Sequence, residues 1–332
     1  MGNTMTLLVT GGGGYIASIV SELLIQQNYE VVTVDNFQEG NREAILPQVK
    51  LYEGDFGNKA LLTKIFSENK IEAILHFAAE TTIEYSMTDP QKYFQNNLVN
   101  SITLMDTMLE FGCKDVIFSS TAATFGEPEY VPIDESHPQR PINAYGESKL
   151  MFEKVLRWYH TAYGVRYNLF RYFNVAGASE KLGEAHKNES HLIPMIIQAV
   201  LGQRESFSLF GTDYPTKDGT CVRDYIHVKD LALAHILALK NLDTCPYGEY
   251  NLGNGEGFTV KEIIETVQKV TGVRVNVMET NRRAGDPAVL VASNEKAKKE
   301  LGWQPKFISI DSIVQSAWNW HQRHPYGYTE SY

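Results

Sequence analysis

Short β-branched runs alternate with longer helical patterns through the first half of the chain, and few folds accommodate that rhythm. Strands are expected at 7–10, 31–35, 50–53, 73–78, 115–120 and 166–172, and helices at 15–27, 61–69, 90–111 and 144–163. In the first helix Ile16, Ile19, Val20, Leu23 and Leu24 share one face. Such alternation gives parallel strands joined by helical crossovers that cover both faces of a sheet. Right-handed crossovers make it doubly wound, with a ligand crevice outside the carboxyl ends of the strands.

The rhythm loosens after about Asn174. Residues 176–189 are polar, contain Gly and Glu, and read as a surface excursion. A helix is expected at 192–202, a Gly-, Asp- and Pro-rich loop at 211–219, a helix at 229–242 and a last helix at 311–322. Thr259-Val260-Lys261-Glu262 is a capping box that opens another. The 332 residues divide into a doubly wound first domain, 1–175, and a smaller C-terminal α/β domain, 176–332, with 225–252 expected to return to the first sheet.

The turn between the first strand and the first helix reads Thr10-Gly11-Gly12-Gly13-Gly14-Tyr15-Ile16-Ala17. Glycines there let backbone approach a pyrophosphate, and the helix amino end presents N–H groups and a positive dipole. Asp35 ends the second strand 21 residues beyond Gly14, placed to bind ribose hydroxyls and to repel a 2′-phosphate. A Rossmann-type site for NAD rather than NADP is expected, with Gly11, Gly14, Tyr15, Ile16, Asp35 and Asn36 at its turn. Asp55 is expected to hold the adenine, and Phe56, Phe77, Ala78, Ala79, Asn96 and Tyr172 to lie along the cofactor.

Tyr145 and Lys149 form a Tyr-x-x-x-Lys pair on an expected helix, where residues four apart are neighbours. Tyr225 and Lys229 repeat the spacing, but on an expected strand, where four residues span ~13 Å. A tyrosine with a pKa near 10 is a poor base at neutral pH. A neighbouring ammonium and a positive nicotinamide ring favour the phenolate, and a depression of three units needs ~4 kcal/mol. Thr121, at the end of the strand that reads Ser119-Ser120-Thr121, offers a hydroxyl to a substrate alcohol in the same crevice. No metal-ligand constellation or nucleophile elbow is recognised, and His321 and His324 beside Trp318 and Trp320 read as structural.

Forty acids against 30 bases give a net charge of −10, which argues against a nucleic-acid partner held by the general field. Three cysteines at irregular spacing suit a reducing, cytoplasmic setting. No apolar run approaches the ~20 residues of a membrane span, and no signal-peptide layout is recognised. Met1-Gly2-Asn3-Thr4-Met5-Thr6 fits the permissive myristoylation pattern, although Thr6 already opens the first strand.

The glycine turn, Asp35-Asn36, Tyr145-x-x-x-Lys149 and the Ser-Ser-Thr strand end together resemble the extended short-chain dehydrogenase/reductase family. The similarity narrows to its UDP-glucose 4-epimerase (UDP-galactose 4-epimerase) branch through Arg171-Tyr172-Phe173-Asn174, His191-Leu192-Ile193-Pro194, Phe210-Gly211-Thr212-Asp213-Tyr214, Val222-Arg223-Asp224-Tyr225-Ile226-His227 and Arg282-Arg283-x-Gly285-Asp286. The resemblance implies NAD as a retained cofactor and UDP-glucose and UDP-galactose as substrates in galactose metabolism. It also implies a homodimer formed through the helices at 90–111 and 144–163. It further implies that Asn174, His191, Leu192, Phe210, Arg223, Arg283 and Asp286 hold the nucleotide sugar, with Tyr145 and Thr121 at its 4-hydroxyl. Ion pairs with Asp224 or Asp286 are the ordinary alternative for each arginine.

The chain departs from the family pattern in places. Thr121 stands where serine is frequent, Phe125 replaces a common tyrosine, and Glu80-Thr81-Thr82-Ile83-Glu84-Tyr85 replaces a glycine-containing segment. Leu290 lies near the position whose bulk governs acceptance of N-acetylated hexoses. The competing activities are epimerisation of UDP-GlcNAc and UDP-GalNAc, a dehydratase, and a non-catalytic NAD-binding protein. A 4,6-dehydratase is expected to carry an acid pair after Thr121, where this chain has Ala122-Ala123.

Overall fold

A computed structural model describes residues 5–283 and 286–328. Met1–Thr4 of the myristoylation-like pattern and Gly285 of the Arg-Arg-x-Gly-Asp segment lie outside the described residues. Contacts gather the chain into two compact units: residues up to Glu127 with Pro138–Tyr172 and Ala232–Tyr250, and Pro128–His137 with Phe173–Leu231 and Asn251 onward.

The first unit is built on β1 (Thr6–Thr10), β2 (Glu30–Asp35), β3 (Lys50–Glu53), β4 (Ile71–His76), β5 (Asp115–Thr121) and β6 (Arg166–Tyr172). Their order is β6-β5-β4-β1-β2-β3, and the strand Tyr247–Leu252 extends the sheet beyond β6. All five pairings among the six are parallel, with Val9 opposite both Thr33 and Leu75. This is the doubly wound Rossmann arrangement, in which strand order reverses at β1 and β4 and opens a crevice there. Leu8, Val32, Ile74, Val116 and Leu169 pack with Leu62, Met105 and Phe152 of the covering helices in one apolar core.

One expected helix is not uniform. In place of a single α-helix over 90–111, the chain forms Pro90–Phe94, a π-helical stretch Gln95–Asn100, and Ser101–Glu110. The π-turn widens the helix at Asn96 and Asn97, and such insertions concentrate at functional sites.

In the second unit Val222–His227 pairs with Asn174–Ala176, Gly257–Thr259 and Val289–Leu290, and Phe207–Phe210 pairs with Val277–Thr280. Of the segment 225–252, residues up to Leu231 lie in this unit, and so do Asn251 and Leu252. Its core joins Ile193, Ile197, Ile263, Val267, Ile313 and Val314 from three helices. The expected capping box is present, with Thr259 and Glu262 exchanging hydrogen bonds.

The stretch 176–189 is largely packed inward rather than a surface excursion, with Glu180, Lys181, Lys187 and Asn188 exposed. Ala176, Ala178, Ser179, Leu182 and Glu184 are buried. Gly183 lies so close to the Trp320 indole that a Cβ would come within 2.2 Å of it, and its N–H donates to the Tyr328 hydroxyl at 3.0 Å. His324 stacks on Trp320 at 4.7 Å, a structural use of that histidine.

Arg171 is buried and donates to Glu153 at 2.7 Å and to Glu249 at 2.7 Å, while Arg157 meets Glu249 at 2.6 Å. Burial works against the Glu249 carboxylate, but the two guanidiniums outweigh it and bring its pKa down to about 2 from 4.5. A depressed carboxylate contributes stability that is present above its unfolded pKa and lost as pH falls through its folded one. Acid titration of folding stability is therefore expected to fall between roughly pH 4.5 and 2. Glu249→Gln is expected to flatten that limb and to cost about 2 kcal/mol at neutral pH, measured by denaturant unfolding.

Candidate active site

Glycines at the end of β1 bring three segments against one another. Gly11 has φ +72°, and a Cβ on it would lie 2.9 Å from the Ala78 backbone. A Cβ on Gly12 would reach 2.0 Å from the Thr33 hydroxyl. Thr10 fixes the neighbouring segment, its hydroxyl accepting from the N–H groups of Phe77 and Ala78 at 3.1 Å each. Gly14 is the N-cap of the helix Tyr15–Gln26, whose first turn carries no acid, so the dipole end stays positive for an anion.

Asp35 is buried at the end of β2 and accepts from Gly13 N–H at 2.8 Å and Phe37 N–H at 2.7 Å. A carboxylate at that strand end, glycines where a side chain would clash, and an uncapped helix amino end fit a dinucleotide with an unmodified ribose. The residues present therefore suit NAD.

The remaining expected cofactor residues take varied places. Tyr15 is buried and Ile16 half-buried in the first helix, and Asn36 is exposed and accepts from Gln38 N–H. Asp55 is exposed and accepts from Gly57 N–H at 2.6 Å. The Phe56 ring is buried edge-on against His76, and Phe77 lies 5.1 Å from the His235 ring. Ala79 is half-buried. Tyr172 is buried with its hydroxyl bonded to His235, so its side chain already has a protein partner. Asn96 is half-buried in the π-turn and donates to Asn97 at 3.2 Å.

Asn97, which sequence reasoning passed over, has the larger structural role. It is buried, accepts from Glu80 N–H at 2.8 Å, and donates to the Glu80 carbonyl and the Ser148 hydroxyl at 3.0 Å each. It thereby ties the atypical segment after β4 to the helix Ala144–Tyr163. The π-turn has no distinct apolar period, so no local signal marked this residue.

Asn143 caps that helix through Gly146 N–H at 2.8 Å. The helix runs so near the end of β5 that a Cβ on Gly146 would sit 2.4 Å from the Ala123 carbonyl oxygen. Lys149, buried, donates from Nζ to the Ser119 carbonyl at 2.9 Å. Tyr145, one turn earlier, packs edge-on to Tyr93 with ring centroids 6.5 Å apart. Thr121 ends β5, its hydroxyl accepting from Ala123 N–H at 3.1 Å.

Burial raises the Tyr145 pKa above 10, while a hydrogen bond with Thr121 pulls it the other way. Burial lowers Lys149 to about 7, against the opposing pull of Glu153. The Tyr-x-x-x-Lys spacing implies a full ammonium at Lys149, whereas desolvation works against that charge.

In the second unit Arg223 Nη1 donates to the carbonyls of Val222 and Pro287, and Nη2 lies 3.5 Å from Asp286. Arg283 stacks its guanidinium 4.2 Å above the Phe210 ring. Asn174 and Arg223 lie on adjacent paired strands, since Asn174 is opposite Tyr225. Asp224 is buried and accepts the N–H groups of Asn254, Gly255 and Ala292, and among the described residues no ion pair joins it to an arginine. Leu192 opens the helix Leu192–Val200, and His191 before it turns to Glu184 and Glu189.

Residues 7–253 match the NAD dependent epimerase/dehydratase family. The UDP-glucose 4-epimerase of Halalkalibacterium halodurans is 49% identical over 328 residues, covering 98% of each chain. A crystal structure of a UDP-glucose 4-epimerase is 48% identical with a TM-score of 0.96, over 98% of this chain and all of that one. The Bifidobacterium longum UDP-glucose 4-epimerase, solved with NAD+ and UDP, is 37% identical with a TM-score of 0.93, over 98% of this chain and 100% of that one.

Gly146→Ala is expected to push the helix off the strand end and lower turnover about 10²-fold, since misplacement of a reacting group by ~1 Å costs that much. Steady-state kinetics on protein whose far-ultraviolet circular dichroism is unchanged checks this.

Proposed function

The chain belongs to the NAD dependent epimerase/dehydratase family, and we propose that it interconverts UDP-galactose and UDP-glucose by NAD-dependent epimerisation at C4, through a 4-keto intermediate. The observation that carries this reading is an intact Thr121, Tyr145 and Lys149 set at the end of β5, in a chain nearly half identical to UDP-glucose 4-epimerases over its length. NAD, when bound, takes the C4 hydride and returns it.

In this reading Tyr145 accepts the proton of the 4-hydroxyl, and Thr121 shares a hydrogen bond with that oxygen as negative charge develops. Lys149 orients the site from beneath and adds positive charge in proportion to its protonation. Gly11, Gly14, Tyr15 and Ile16 with Asp35 and Asn36 hold the dinucleotide, and Asp55, Phe56, Phe77, Ala78, Ala79, Asn96 and Tyr172 line its length. Arg223 and Arg283, supported by Asp286, neutralise the sugar's diphosphate, while Phe210, Leu192 and Asn174 bind the rest of the nucleotide. Holding the nucleotide firmly and the hexose loosely lets the keto sugar present its other face for hydride return. The first domain thus serves NAD and the second the nucleotide sugar.

No helix among the described residues is long and apolar enough to cross a membrane, and a cytoplasmic setting is proposed with the composition in support. A homodimer through the helices at 90–111 and 144–163 is supported by the exposure of Val99, Phe111, Trp158 and Tyr163 on them. Light scattering that returns the mass of one chain contradicts that assembly.

Purified protein is expected to convert either UDP-hexose into the other without added reductant, read by nucleotide-sugar chromatography. Tyr145→Phe is expected to lower turnover by about 10³-fold or more while NAD stays bound. No 4-epimer, or a 4-keto-6-deoxy product instead, overturns the reading.

A further inference from the structure

Residues 184–191 of the second unit carry Glu184, His186, Glu189 and His191, whose ligand atoms all lie within 4.8 Å of one another. Glu184 is buried, and one of its oxygens meets His186 Nε2 at 3.1 Å and His191 Nδ1 at 3.0 Å. The same His191 nitrogen lies 2.9 Å from Glu189 Oε1. Neighbouring ligand atoms around a tetrahedral zinc sit roughly 3.3 Å apart, so small rotations of these side chains admit a cation among them.

The donor set is two imidazole nitrogens and two carboxylate oxygens. That mixture suits zinc and its neighbours, whereas magnesium and calcium prefer oxygen throughout. The segment is also held at both ends before any ion arrives. Gly183 is lodged against Trp320, and His191 is the N-cap of the helix Leu192–Val200. The buried Glu184 carboxylate is compensated by His186 and His191, and a metal ion seated among the four side chains takes over that compensation.

We propose that Glu184, His186, Glu189 and His191 bind one divalent transition-metal ion of the zinc class, which fixes the loop leading into the helix Leu192–Val200. His191 then serves as a ligand, in place of the substrate contact that family resemblance implied. The spacing Glu-x-His-x-x-Glu-x-His was visible in the sequence, but only the fold shows that the buried Glu184 gathers His186 and His191.

NAD-loaded, untagged protein is freed of metal with a chelator and titrated with Zn²⁺ by calorimetry. One equivalent per chain is expected, with His186→Ala and Glu189→Gln each weakening uptake roughly tenfold or more. Co²⁺ added to the unaltered protein is expected to give the visible absorption of a tetrahedral site, which requires no variant to fold. Absence of saturable uptake, uptake unchanged in both variants, or no tetrahedral cobalt spectrum overturns the proposal.

Discussion

The close approach of the helix Ala144–Tyr163 to the end of β5 is the constraint on which the proposed chemistry depends. Gly146 permits it against the Ala123 carbonyl, and Lys149 locks it through the Ser119 carbonyl. Behind this contact Glu153, on the same helix, binds both Ser120 of β5 and Arg171 of β6. Helix, β5 and β6 are thereby fixed as one piece. Thr121 and Tyr145 owe their placement to that piece, because each sits at the end of an element whose position the ion pairs and the missing Cβ determine.

Electrostatics at that contact sharpens the mechanism. A buried phenol resists ionisation and a buried amine resists protonation, and the same desolvation acts on Tyr145 and Lys149 together. His76, beneath them, is driven down to about 3 by burial and by Lys149, so it stays neutral and adds no charge. The protein groups alone therefore leave Tyr145 protonated. In the proposed reading the positive charge that ionises it arrives with the nicotinamide, which couples base strength to cofactor binding and keeps an unloaded site inert.

Much of this was legible in the sequence because local pattern and global fold agree in the first unit. The strand Lys50–Glu53, the strand Arg166–Tyr172 and the helix Ala144–Tyr163 have the bounds their periodicity predicts. The glycine turn and Asp35 were legible because their spacing encodes a backbone approach. What stayed hidden depends on distant partners. Residues 176–189 look polar and exposed until Trp320 and Tyr328, more than a hundred residues later, cover Gly183. Asn97 lies in a π-turn that a 3.6-residue period does not reveal, and Val289–Leu290 is too short a strand to declare itself. The depressed pKa of Lys149 follows from burial, which a Tyr-x-x-x-Lys spacing does not report.

The ionisation of Tyr145 tests the central claim most directly. Ultraviolet difference titration of NAD-loaded protein, compared with cofactor-free protein and with Tyr145→Phe, isolates that one phenol. The account predicts a tyrosine that ionises at lower pH in the loaded enzyme than in the cofactor-free protein, and no such step in Tyr145→Phe. An equal step in the cofactor-free protein, or none in the loaded enzyme, would contradict it.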